Sequence, residues 1–205
     1  MADDNVKRVE LVKAVAKLLP GFEYHVPFNG TQPRLVGEDD LEIFIGGSQQ
    51  RGKLHVHGGW PMDGHTYMSP RSWGAVPYGE TGDVSINVSE DRGPEAIARD
   101  ILRRFLPQYR EIHAKCREKQ REHSAYENRL RANAVVVAEA AGLALPETKG
   151  RNEDYRLHLN GSNHGWYGTV VVNETSVSFD VRTVPTDKAL RILAILQEKE
   201  NGGKR

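Results

Sequence analysis

One pattern occurs twice in this chain and constrains its fold more than any other feature. Val84-Ser85-Ile86-Asn87-Val88 alternates apolar and polar residues, enters a short turn containing Pro94, and continues into the helical pattern Glu95–Leu102. Val177-Ser178-Phe179-Asp180-Val181 does the same through a turn containing Pro185 and the pattern Asp187–Leu193. Apolar residues at every second position mark a half-buried strand, and recurrence at three and four marks an amphipathic helix. Two copies of strand, proline turn and helix predict two similar halves.

The segments before each copy fall in a matching order. Val6, Val9, Leu11, Val12, Val15, Leu18 and Leu19 suit a helix over 4–19, stopped by Pro20-Gly21. Phe22–Phe28 reads as a short strand ended by Asn29-Gly30. Leu41, Ile43 and Ile45 alternate with Glu42 and Phe44, and Leu54 and Val56 alternate with His55 and His57. In the other half Ala132–Ala141 reads as a helix end closed by Gly142. Leu157 and Leu159 alternate with polar neighbours, Trp166–Asn173 and Ser176–Thr183 read as a hairpin, and Thr186–Lys199 reads as a helix. The fold class expected is α+β: two helix–three-stranded antiparallel sheet–helix halves, 1–107 and 108–205, joined by a long helix. The first half carries an inserted loop, 60–82. Pro107 is expected to break or kink the helix that starts near Glu95. A second helix then runs from Gln108 to Ala141 with Tyr109, Ile112, Cys116, Tyr126, Leu130 and Val137 as its apolar seam.

Bulk properties narrow the function classes. The 28 basic and 28 acidic residues balance, which argues against a uniformly cationic coat for nucleic acid but leaves room for a local patch. Cys116 is the single cysteine, so no internal disulfide and no multi-cysteine zinc site can form. The opening Met1-Ala2-Asp3-Asp4 is unlike a secretory leader, and no apolar run approaches the ~18 residues of a membrane span. A cytoplasmic protein without membrane contact is expected. No Walker-type loop, nucleotide-fold glycine fingerprint or Gly-x-Ser-x-Gly elbow is present, so neither a cofactor nor catalysis is expected.

Three constellations carry chemistry. Arg110, Arg117 and Arg121, with Asn128, share a helix face opposite the apolar seam, and residues 102–131 hold nine Lys or Arg against four Glu. Such a stripe can follow phosphates or meet an acidic protein surface. It can also be a solvated face laced by pairs such as Glu111/Lys115. The loop 60–82 concentrates Trp60, Tyr67, Trp73 and Tyr78 beside Arg71. These aromatics can stack bases or anchor an interface, or fold onto the loop's own core. His55-x-His57 places two imidazoles on one side of a strand, with Asp63 and His65 nearby, the donor types of a metal site. The spacing alone fixes no third ligand, and a polar sheet face is the favoured reading. His158 and His164 carry less. Glu38-Asp39-Asp40 reads as turn chemistry, and Cys116 as packing.

The segment Ser85–Tyr109, with Ser-Ile-Asn-Val-Ser-Glu-Asp-Arg-Gly-Pro-Glu-Ala-Ile-Ala-Arg-Asp-Ile, resembles small proteins encoded by phages and mobile elements. The match covers about an eighth of the chain and brings no active-site motif. It implies an accessory, anti-defence role in phage–host conflict. The order helix, three strands, helix is also similar to a double-stranded-RNA-binding domain. That family's lysine-rich phosphate-binding motif is missing from both Pro94–Ile101 and Asp187–Ile195, so its activity is not carried over.

The functional expectation is a non-enzymatic binding protein acting on a nucleic acid, or on a host protein or nucleoprotein complex that processes one. Arg110, Arg117, Arg121, Trp60, Tyr67, Arg71, Trp73 and Tyr78 are its expected contacts. The competing readings are a metal-dependent enzyme centred on His55, His57 and His65, and a structural module that homodimerises through the long helix.

Overall fold

The computed structural model describes residues 2–26, 33–50, 52–64, 66–147, 154–161 and 166–198. The fold is α+β, with helices set against antiparallel sheets. The chain divides into two compact units, Met1–His123 and Ser124–Arg205. No helix among the described residues is long and apolar enough to cross a membrane.

The first unit opens with α1 (Ala2–Ala16). Strands β1 (Phe22–His25), β2 (Arg34–Gly37), β3 (Glu42–Gly47) and β4 (Lys53–Gly58) follow as an antiparallel meander. A small hairpin, β5 (Met62–Asp63) and β6 (Thr66–Tyr67), interrupts before β7 (Ser85–Ser89) closes the sheet beside β4. The sheet therefore has five strands in the order β1-β2-β3-β4-β7, where three or four were expected. The extra strand β2 lies in Arg34-Leu35-Val36-Gly37, too short for a period to register. The segment 60–82, expected as a loop, owns a hairpin and a turn in which the Trp73 amide donates to the Ser69 carbonyl at 3.0 Å.

Period-two burial sorts the faces as the alternation requires. Leu35, Ile43, Ile45, Leu54, Val56 and Val88 point inward. Val12, Val15 and Leu19 from the α1 segment, Ile97 and Ala98 from α2 (Gly93–Asp100), and Tyr109, Ile112 and Cys116 from α3 (Leu106–Ala141) complete one core with them. Arg8 of α1 pairs with Glu90 at 2.7 Å, just past β7.

Pro107 does not end the helix. The run passes from α2 through a π turn, Ile101–Phe105, into α3, and the Leu106 amide donates to the Ile101 carbonyl five residues back. A proline normally collides with the carbonyl four residues before it. The wider π turn relieves that collision, so the helix continues past the point where a break or kink was expected.

One contact locks α3 to the sheet. The Tyr109 hydroxyl accepts the Glu42 amide at 3.0 Å and stands 2.9 and 2.8 Å from the carbonyls of Glu42 and Gly59. Burial raises its pKa well above the ordinary value. Its ring lies against Gly58, where a Cβ would fall 2.1 Å from Tyr109 Cε2.

The second unit contains the later turns of α3, a three-stranded meander β8 (Tyr155–Gly161), β9 (Trp166–Val172) and β10 (Val177–Arg182), and α4 (Thr186–Glu198). The β9–β10 hairpin turns where Asn173 suggested, its amide donating to the Ser176 carbonyl at 2.8 Å. Leu130, Ala134 and Ala138 of α3 pack on Tyr155, Leu157, Val170 and Val172 to form the second core. Asn133 and Arg129 reach Glu174 in that hairpin, the arginine at 2.6 Å.

Each of the two copies forms a strand, a short link and a helix. In each unit the last strand lies at a sheet edge, and three residues link it to its helix. The units differ in strand number and in what that helix does, since Ile97 and Ala98 of α2 are buried whereas Leu190, Ile192, Leu193 and Ile195 of α4 are exposed.

Candidate functional site

Residues 110, 117 and 121 recur at seven and four along α3 and share a face. The structure brings all three arginines to one cleft of about 620 Å³ in the first unit. Its walls are the turn Pro20-Gly21 with Phe22, the corner Glu38, Asp39 and Leu41 between β2 and β3, and the α3 residues Arg110, His113, Ala114, Arg117 and Arg121. Neighbouring Ile112 and Cys116 anchor this stretch of α3 in the core, which fixes the direction of the arginine face.

The cleft is not uniformly positive. Arg117 Nη2 pairs with Asp40 at 3.0 Å, and its Nη1 donates to Gln120 Oε1 at 2.8 Å. Its Nε is buried without a hydrogen-bond partner. Arg110 and Arg121 have no ion-pair partner among the described residues. Asp39 and Asp40 both stand at φ 57, a left-handed backbone that aspartate tolerates better than most residues. The corner read as turn chemistry is indeed a turn, and it also places carboxylates opposite the arginines.

His113 lies in the cleft wall, only 3% exposed, its ring 5.5 Å from that of Tyr109. Burial lowers its pKa first and the Arg117 charge lowers it further, against the pull of Asp40 and Asp39. Burial and the neighbouring guanidinium thus both disfavour the charged imidazolium. Arginine forks of this kind suit phosphate or carboxylate oxygens, with a charged hydrogen bond at each contact. Sequence reasoning found the arginines and missed Asp40, whose pairing with Arg117 crosses elements, and His113 and Gln120, which neighbour Arg117 along α3.

The aromatic segment splits in two. Trp60 and Trp73, expected among the contacts, are buried and pack in the core. Trp60 meets Tyr109 edge-on at 5.3 Å, and Trp73 Nε1 donates to the Pro61 carbonyl at 2.9 Å. Their large apolar surface is satisfied inside the protein. Tyr67 and Tyr78 are displayed, Tyr78 at 96% exposure with the Arg71 guanidinium 5.4 Å from its ring centre.

The histidines of β4 do lie side by side, with ring centres 5.3 Å apart. His57 stacks on Phe44 at 5.1 Å, and His55 Nδ1 lies 3.2 Å from Asn87 Oδ1. They border a cavity of about 300 Å³ with Tyr67, Asp83 and Ser85. Asp63 turns instead to His123 at 3.5 Å. His65 and His164 lie outside the described residues. Among the described residues no three His, Cys, Asp or Glu side chains converge as a metal site. His158 borders a separate cavity in the second unit with Asp180 and Arg182.

No protein-family model matches the chain, and no curated protein and no solved structure matches it either.

Proposed function

We propose that the chain is a non-enzymatic binding protein whose first unit grips the phosphate backbone of a nucleic acid, free or within a processing complex. The observation that carries this reading is the convergence of Arg110, Arg117 and Arg121 on one cleft, two of them without an internal ion pair among the described residues. At 1.5 Å rise per residue the three span about 16 Å of helix, enough to meet several phosphates of one strand. A phosphate exchanging with Asp40 takes over Arg117, whose Nε is already desolvated. Tyr67 and Tyr78 offer exposed rings on which unpaired bases can stack. A role in phage–host conflict, implied by the Ser85–Tyr109 resemblance, is compatible with a protein that occupies nucleic acid without cleaving it.

The test is fluorescence anisotropy with labelled single-stranded and duplex DNA over a salt series, comparing the native chain with Arg110→Glu/Arg117→Glu/Arg121→Glu. Binding should weaken more than about tenfold in the variant, and the slope of log affinity on log salt should flatten by about two. Absence of binding to either DNA, or an unchanged affinity and slope in a folded variant, refutes the proposal.

A further inference from the structure

Two apolar surfaces of the second unit are exposed among the described residues. Val177, Phe179 and Val181 pair across the sheet with Val172, Val170 and Gly168, so they share the face that α3 covers over β8 and β9. Yet among the described residues none of β10 or α4 belongs to that core, and Phe179 is 68% exposed. The second surface is α4 itself, where Leu190, Ile192, Leu193 and Ile195 are 61%, 49%, 54% and 63% exposed. Ala189, Ile192 and Leu193 fall at the three- and four-residue spacing of a docking stripe.

The first unit shows what such a helix does when its turn permits. Glu90–Arg92 leads to Gly93 at φ 75, and α2 folds back so that Ile97 and Ala98 are buried in the sheet's core. The second unit has a link of the same length, Thr183-Val184-Pro185, but no glycine between Val177 and Glu198. The left-handed position falls on Thr183 at φ 60, where a β-branched side chain is strained. A short, strained hinge between two complementary surfaces favours exchange of the helix between copies.

We propose that α4 of one copy covers the open sheet face beside β10 of a second copy, making a two-fold dimer by exchange of α4. The exchange is self-complementary, because each copy supplies one helix and one vacant face. Covering both faces removes on the order of 1,000 Å² from water, about the least that a specific association needs. This dimer does not depend on the arginine cleft and does not use α3 as its seam.

Sedimentation equilibrium of the full chain tests it, with Phe179→Asp on the sheet and Leu193→Asp on the helix. Both side chains are exposed within one copy, so neither change disturbs its core. The native chain should dimerise, and each variant should raise the dimer dissociation constant at least about tenfold. A monomeric native chain, or a dimer indifferent to both changes, overturns the proposal. The second arm mixes a Phe179→Cys chain with a Leu193→Cys chain under oxidising conditions. Native Cys116 is buried and does not compete. A disulfide joining the two different chains is expected. A bond that forms only within a chain carrying both cysteines places α4 on its own sheet and overturns the exchange.

Discussion

Replacing Gly58 by alanine adds a single methyl group at the tightest of the described glycines. That Cβ would lie 2.1, 2.4 and 2.8 Å from Tyr109 Cε2, Cδ2 and Cζ. Carbon atoms settle at about 3.5–4.0 Å, so the ring must retreat by roughly 1.5 Å. It has little room. Phe105 stacks on it at 5.0 Å, Trp60 meets it at 5.3 Å, and its hydroxyl is held by Glu42 and Gly59. Overpacking alone costs about 1–3 kcal/mol. Pulling the hydroxyl away leaves the half-buried Glu42 amide unmet for another ~1–3 kcal/mol. The expected loss is about 4 kcal/mol, read by urea unfolding followed through near-ultraviolet dichroism of the buried aromatics. The same substitution in a Tyr109→Ala background should cost under ~0.5 kcal/mol, because the colliding ring is gone. A loss below ~1 kcal/mol in the native background, or an equal loss in both, refutes the steric argument.

Two further outcomes follow from the same unit. Trp73→Ala should destabilise it by ~3–5 kcal/mol in urea unfolding, whereas Tyr78→Ala should leave stability within ~0.5 kcal/mol; the reverse order would return Trp73 to the surface. His113 has a pKa held below its ordinary 6.5 by burial and by Arg117, so its neutral form favours the folded state. Its contribution is complete above pH 6.5 and is lost as the pH falls through the lowered value, where the unfolded chain binds the extra proton. His57 is shifted the same way by burial. Melting temperature should therefore decline from pH 7 toward pH 5, and His113→Gln should flatten that decline. An identical pH profile in the variant removes His113 from the account.

Much of the fold was legible because its signals are local. The seam residues Tyr109, Ile112, Cys116 and Leu130 are all buried, since helical spacing alone decides which side of α3 can meet a core. The alternations in β3, β4 and β7 survive intact for the equivalent reason in strands. Strand β2 was missed because Leu35 and Val36 stand between a proline and a turn, leaving no period to read. Trp60 and Trp73 show another limit: composition reports apolar surface without saying whether the chain or a partner covers it. The site was half legible. Helical geometry aligns the three arginines, but the Arg117–Asp40 pair comes from tertiary proximity, and the lowered pKa of His113 comes first from its burial in the fold.

The π turn before Pro107 has a consequence for the phase of the helix. Ile97, Ile101, Phe105 and Tyr109 are all buried at intervals of four residues. In an ordinary α-helix each such step overshoots one turn by about 40°, so three in succession would swing the last side chain by roughly 120°. The slower winding of Ile101–Phe105 resets that drift, and the residues beyond it emerge in step with those before it. The turn therefore acts as an angular correction, one extra residue that decides which way the next four turns point. The bearing of Arg110, Arg117 and Arg121 is set there, a full turn before the first of them, by a stretch whose own outward residues, Leu102, Arg103 and Arg104, touch neither the cleft nor the core.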